Sequence, residues 1–162
     1  MNGALKVADG AAVGAGLCLA LACDLRYASP SAAFSAPFTQ VGAHGGMAVS
    51  WLLPEAVGMP RAREMLYTGR VVAADEALAW GLVSGIAEDV ADRALEVAES
   101  VARAAPIATR LTKAGLGQGS RGGFELALQW EALAQPVTMA TADIYKGIKA
   151  RRQHKTPTFE GS

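Results

Sequence analysis

The stretch Asp9-Gly-Ala-Ala-Val-Gly-Ala-Gly-Leu-Cys-Leu-Ala-Leu-Ala-Cys-Asp-Leu-Arg-Tyr-Ala-Ser29 decides how the rest of the chain is read. It passes from a glycine-rich turn through a small-residue apolar helix to a strand opened by Cys23-Asp24. Glycine has no Cβ, so Gly14 and Gly16 let backbone come close to a ligand or to another helix. A helix that starts here leaves its first N–H groups without intrahelical acceptors, and such groups suit an oxyanion or a phosphate. The Gly14-Ala-Gly16 element is not a dinucleotide fingerprint. The third glycine is missing from the required spacing, and no acid follows at ribose distance.

Around this stretch lies a chain of 162 residues, 51% of them apolar, with equal numbers of acidic and basic side chains. That length supports one domain with a real core, and that composition excludes a disordered chain. Zero formal net charge leaves no basic footprint for nucleic acid, although a few local cations still suffice for a small anion. The run from Ala11 to Cys23 is too short to cross a membrane. With Lys6 before it, the run has the outline of a signal sequence. Asp9 interrupts the basic part, however, the lipobox leucine is absent, and Gly14 and Gly16 break the apolar part. Cys18 and Cys23 lie off a shared helical face, so no disulfide is expected and the setting is read as cytoplasmic and reducing.

Leu5 to Ala8 reads as a strand stub ending at the Asp9-Gly10 turn signal. Gly14 to Ala22 reads as a helix buried all round. Short strands are expected at Leu25 to Ala28 and Ala33 to Ala36, and a glycine-rich loop at Gly42 to Gly46. Met47 to Leu53 reads as a helix stopped by Pro54, and Pro60 opens another that Gly69 closes. Two acids early and Gly81 late mark a short helix before an edge strand at Leu82 to Ile86. From Asp89 to Ala105 the pattern is amphipathic, with Val90, Ala94, Val97, Ala98 and Val101 on one face. Helices follow at Ile107 to Leu116 and Phe124 to Leu133, joined by a loop over Gly117 to Gly123. Pro136 marks a kink or break, the helix resumes over Val137 to Arg152, and Pro157 to Ser162 is a tail.

The ordered set of short patterns resembles the enoyl-CoA hydratase/isomerase (crotonase) family. The set comprises the DG-x-A-x-GAG turn with L-A-x-x-C-D, Ala33-Phe34, Ser50-Trp-Leu-Leu-Pro54 with Val57-Gly58, and Arg61-Ala-x-Glu64. It continues with Leu66-x-x-Gly69, Ala74-x-Glu76-Ala77, Trp80-Gly-Leu-Val83 and the ending Lys155-Thr-Pro-Thr-Phe-Glu-Gly161. The resemblance implies an α/β fold, a ββα spiral with a helical C-terminal trimerisation region. It begins in the middle of the family's domain, so the chain is expected to be a single partial domain over 1–162. About 1–88 would be the remainder of the spiral core and about 89–162 the helical region. The N-terminal part, with its share of the CoA cleft and the other oxyanion donor, is expected to be missing.

The resemblance also implies a site. Ala15 and Gly16 take the place of the oxyanion-hole donor, which acts through backbone N–H and so tolerates any side chain. Phe38, Gly45 and Gly46 line the substrate position, and His154 and Lys155 stand where the family meets CoA phosphates. An acyl-CoA thioester is the expected substrate, with no separate cofactor and no metal. A homotrimer or hexamer is the expected assembly, with neither nucleic acid nor membrane as partner.

Where the family carries catalytic carboxylates, this chain has Cys18, Phe38 and Gly46. Two carboxylates hold and activate the water that a hydratase adds, and cysteine and phenylalanine do not replace them. His44 is the titratable side chain left in the loop, able to move a proton near neutrality or simply to occupy a surface turn. Cys18 suits a small buried residue better than a nucleophile, and Asp24 suits a structural role. The cations Arg151, Arg152, His154 and Lys155 also suit a helix C-terminus without any ligand. Two functions therefore stand: an acyl-CoA enzyme that stabilises a thioester enolate, and a non-catalytic or truncated family member that acts as an assembly or binding module.

Overall fold

The first two strands never meet, although a single turn separates them. Strand β1 (Leu5–Ala8) pairs in parallel with β3 (Leu25–Ala28), Leu5 opposite Leu25. Strand β2 (Ala11–Val13) pairs in parallel with β4 (Ala33–Ser35), Ala12 opposite Phe34. In this computed structural model, which describes residues 5–162 and the side chains of all of these but 118–121, the chain from Leu5 to Ser35 thus feeds two sheets alternately. Strand β6 (Gly85–Ile86) completes the first sheet beside β3, and β5 (Val72–Ala73) joins the second antiparallel to β4. A helix returns the chain between turns, which gives a ββα winding.

Helix α1 (Ala15–Leu21) fills the return from β2 to β3. Leu17, Cys18, Ala20 and Leu21 are buried, but Leu19 is 55% exposed, so the helix buries one side and is not enclosed. Its uniformly apolar sequence therefore overstates its burial. After β4 comes a 3-10 turn at Thr39–Val41, then α2 (Val49–Val57) and α3 (Met59–Thr68). Helix α2 runs through Pro54, which the sequence reading took as its end. Leu53 and Val57 are buried on either side of the proline, and their packing outweighs its missing N–H and the α bias against the residue before it. Gly58 ends α2 instead and caps α3 as well.

Gly69 closes α3 in the left-handed region, and Gly81 does the same for α4 (Ala74–Trp80), whose first turn carries Asp75 and Glu76. These acids suit the positive end of the helix dipole. Together α1, α2, α3 and α4 enclose a core whose fully buried members include Phe34, Leu17, Leu53, Met65 and Leu82. Beyond β6, the carboxylate of Asp89 accepts the N–H of Asp92 at 2.9 Å and caps α5 (Val90–Ala102). Only Val90 and Ala94 of the expected face are buried, and Val101 is 42% exposed. One compact unit ends at Glu96 and a second runs from Val97, inside α5.

In the second unit, α6 (Pro106–Met139) shrinks the expected loop to a single interruption, Gly123 at φ 74° and ψ −168°. Trp130 nevertheless donates its indole N–H to the carbonyl of Leu111 at 3.0 Å, with its ring against Gly115. One straight helix would hold those residues about 28 Å apart at about 1.5 Å per residue, so the chain reverses at Gly123. Pro136 does not break the helix. The exposed carbonyl that loses its partner there is open to water, and the break falls at Ala140 and Thr141. The Thr141 hydroxyl caps α7 (Ala142–Arg152).

The C-terminal tail is docked onto α7. Buried Asp143 accepts the backbone N–H of Glu160 at 3.0 Å and of Gly161 at 2.8 Å. Lys146 pairs with Glu160 at 2.8 Å, and the Ala142 N–H donates to the Ser162 carbonyl at 2.7 Å.

Candidate functional site

Gly14 precedes α1 at φ 54° and ψ −115°, and its N–H donates to the carbonyl of Ser35 at 3.0 Å. The first helical bond runs from the Cys18 N–H to the Gly14 carbonyl. The N–H groups of Ala15, Gly16 and Leu17 are left without intrahelical acceptors, and glycine offers no side chain to cap them. Ala15 is exposed and Gly16 half-buried.

The three positions at which the resemblance places carboxylates come together around this turn. Cys18, 1% exposed, donates its thiol to the carbonyl oxygen of Gly46 at 3.7 Å. Burial pushes this thiol above its ordinary value, while a backbone hydrogen bond pulls the other way more weakly. At physiological pH it is therefore a neutral packing group and not a thiolate nucleophile. The ring of Phe38 sits between the turn and the loop: a Cβ on Gly14 would lie 4.0 Å from Phe38 Cε1, and one on Gly45 would lie 3.5 Å from Phe38 Cδ2. Gly45 is glycine for a steric reason, because its Cβ would also stand 2.6 Å from Val49 Cγ1. These contacts bring Gly14, Phe38, Gly45, Gly46 and Cys18 into one cluster with no carboxylate in it.

His44 adjoins this cluster in sequence, but its imidazole is exposed and, among the described residues, meets no hydrogen-bond or ion-pair partner. Loop 42–48 turns sharply after it, with Met47 at φ 52° and Ala48 at φ 58°. Both are left-handed non-glycine residues, a conformation that costs side-chain-bearing residues energy.

His154 and Lys155 belong to the second compact unit, and both are exposed. Lys149, Arg151 and Arg152 occupy the last turn of α7, where cations favour the negative end of the dipole. His154 takes the left-handed position beyond the helix at φ 52°. The His154 and Lys155 N–H groups return to the carbonyls of Arg151 and Ala150, a Schellman closure.

Three groupings escaped the sequence reading. Arg26 donates to the Leu82 carbonyl at 2.7 Å and the Cys23 carbonyl at 2.6 Å. Burial lowers its pKa, while Cys23 and Asp24 act in the opposite direction, so Asp24 serves Arg26 electrostatically. Arg70 grips Glu76 through two bonds of 2.8 and 2.7 Å and Glu64 through one of 2.7 Å, and its guanidinium lies 4.8 Å from the centre of the Trp80 ring. Its pKa is raised, chiefly by the hydrogen bond to Glu76. Asp143 is the third, its pKa lowered first by the Glu160 N–H and then by that of Gly161. Arg26 reaches Leu82 and Asp143 reaches Glu160 and Gly161 far along the chain, whereas Arg70 sits six residues from each of its two acids. Among the described residues no cluster of three metal-ligating side chains occurs, and no helix is long and apolar enough to cross a membrane.

Comparison with known proteins adds ancestry to this geometry. The sequence profile of enoyl-CoA hydratase/isomerase matches residues 5–162. The chain is 38% identical over 156 residues to (E)-benzylidenesuccinyl-CoA hydratase of Thauera aromatica, covering 95% of this chain and 61% of that protein. It is 35% identical over 159 residues to mitochondrial methylglutaconyl-CoA hydratase of Mus musculus, covering 94% and 51%. The crystal structure of an enoyl-CoA hydratase from Bacillus anthracis superposes with a TM-score of 0.91 at 35% identity, covering 94% of this chain and 60% of that one. The chain thus spans between 51% and 61% of the length of these curated relatives.

Proposed function

The chain belongs to the enoyl-CoA hydratase/isomerase family and has its crotonase-like α/β fold, and from that premise we propose that it takes up an acyl-CoA thioester and polarises the thioester carbonyl. The supporting observation is the free first turn of α1 beside a cluster made of Phe38, Gly45, Gly46 and Cys18. Backbone N–H groups of Ala15 and Gly16 supply fixed donors where negative charge gathers on the thioester oxygen as an α-proton leaves. Fixed donors of this kind need no reorganisation when the charge develops, which is why they lower the barrier.

Proton transfer falls to His44, the titratable side chain of loop 42–48. Phe38, Gly45 and Gly46 bound the acyl group, and His154 and Lys155 meet phosphates of the CoA held by a neighbouring subunit. The thioester itself is the only cofactor-like group the reading requires. A homotrimer or hexamer fits the exposed Leu116, Phe124, Leu128 and Leu133 of α6. A cytoplasmic, reducing setting fits the free thiols of Cys18 and Cys23.

A second reading is favoured by one specific observation. The cluster holds Cys18, Phe38 and Gly46 in the carboxylate positions, which suits a family member that binds without turnover. Butyryl-CoA in deuterated buffer separates the two readings. Enolate formation exchanges the α-protons, followed by proton NMR, and slows when loop 42–48 is altered. Binding without exchange supports the binding module, and absence of binding to butyryl-CoA and to free CoA defeats both.

A further inference from the structure

The segment that carries Phe38 is fastened to one end of α3. The Thr39 hydroxyl donates to the Leu66 carbonyl at 3.0 Å and lies 3.2 Å from that of Tyr67. The Gln40 amide donates to the Thr68 carbonyl at 3.0 Å, and the Ser35 hydroxyl to the Gly69 carbonyl at 2.8 Å. The last carbonyls of a helix have no intrahelical partners, so α3 presents a row of acceptors at its negative end. Side chains on both flanks of Phe38 satisfy them.

The approach is close because Gly69 lacks a Cβ, which would stand 2.7 Å from Gln40 Cγ and 3.0 Å from Pro37 Cα. The far side of this anchor is held in turn by Arg70, locked between Glu64 and Glu76. Leu66, on α3, borders the same glycine: a Cβ on Gly45 would lie 3.7 Å from Leu66 Cδ2 and 3.5 Å from Phe38 Cδ2.

We propose that Thr39, with Gln40 and Ser35, is a positioning residue that holds the Phe38 ring between Gly14 and Gly45, and that the fixed ring determines which acyl groups the site admits. The specificity half rests on the acyl-CoA reading above; the positioning half does not. A ring held by side-chain bonds to a helix end keeps one position beside the α1 turn. A loosened ring gives way to a bulkier acyl group, and discrimination falls.

The test uses Thr39→Val, which keeps shape and removes the hydroxyl, with Thr39→Ser as the conservative rescue. The chain has four phenylalanines, so 4-fluorophenylalanine labelling gives four fluorine resonances, and Phe38→Leu identifies the relevant one. Acetyl-CoA and benzoyl-CoA titrated by calorimetry give the discrimination ratio. Thr39→Val is expected to move or broaden the Phe38 resonance and to lower the ratio by about tenfold, the scale of a modest pocket change. Thr39→Ser is expected to restore both, and Phe38→Leu to lower the ratio with Thr39 intact. An unmoved Phe38 resonance overturns the positioning role, whatever the thioesters do. A moved resonance with an unchanged ratio overturns the specificity role, as does an unchanged ratio in Phe38→Leu. Failure of the wild-type chain to bind either thioester sinks the acyl-CoA reading and the specificity role together, while the fluorine spectrum alone still decides positioning.

Discussion

The Cys18 thiol donates to the Gly46 carbonyl across 3.7 Å, and so ties α1 to the loop that leads into α2. Both residues stand where the family resemblance puts an acid. The bond joins a buried apolar-like group to a backbone oxygen, and no charge is present on either side. Reactivity at this point of the fold is therefore suppressed, and packing takes its place.

A thiol reagent distinguishes these environments. In the folded chain Cys23, half-buried, is expected to react with Ellman's reagent while Cys18 stays protected until unfolding. Cys18→Ala is expected to cost about 1 kcal/mol in urea unfolding, the scale of one small buried group. Rapid folded-state modification of both thiols would contradict the burial described.

Hydration of a short enoyl-CoA is expected to be negligible. Water addition needs a pair of carboxylates, and Cys18 and Phe38 offer none. Absorbance of the conjugated thioester follows the reaction directly. Turnover that survives substitution of both residues would put the chemistry elsewhere in the molecule.

If α-proton exchange is observed, His44→Gln is expected to slow it by about a hundredfold or more, the usual contribution of a general acid or base. Glutamine keeps the size and hydrogen bonding and removes the titration. An unchanged rate and pH profile would return His44 to a surface turn and leave the backbone donors as the site's chemistry.

The docked tail should loosen in acid. The folded-state pKa of Asp143 lies below its ordinary value, because the Glu160 and Gly161 N–H groups favour the carboxylate. Its contribution is present above the unfolded value of about 3.9 and is lost as pH falls through the depressed folded value. Asp143→Asn keeps an acceptor for only part of this pairing. Amide exchange at Glu160 and Gly161 is expected to accelerate by roughly tenfold in that variant at neutral pH, the equivalent of one hydrogen bond. Unaltered exchange would show that other contacts hold the tail.

His154→Gly separates stability from binding. Glycine relieves a left-handed residue at the end of α7, and a gain of about 1 kcal/mol in stability is expected. Under the CoA-phosphate reading, affinity for CoA falls at the same time. A Tm that rises with unchanged affinity would leave the basic end of α7 as a helix terminus alone.

Helix ends were legible because their signals are local: Gly69 and Gly81 lie just beyond the helices they close, and Asp75 and Glu76 in a first turn. Strands β2 and β5 were not, since three and two residues carry no readable period and their partners lie far along the chain. Pro54 misled because burial outweighed a local rule, and at Pro136 the helix continues without a break. The reversal at Gly123 was visible as glycine richness, but the Trp130–Leu111 bond that defines it was not. In the site, motif order marked Cys18, Phe38 and Gly46, whereas the anchoring of Phe38 through Thr39 on α3 has no signature in sequence. Arg70 between two acids and beneath Trp80 is likewise a convergence of separate helices.

Alternation between the two sheets bears on how the molecule comes to exist. Among the described residues no strand pairs across a short turn: Leu5 waits for Leu25, Ala11 for Ala33, Tyr27 for Gly85, and Ala33 of β4 for Ala73 of β5. Strand pairing of this kind has no purely local start among the described residues. Loop closure must precede nearly every sheet bond, which slows folding and exposes strand edges for longer. The pairing of β2 with β4 cannot form until Ala33 to Ser35 has left the ribosome.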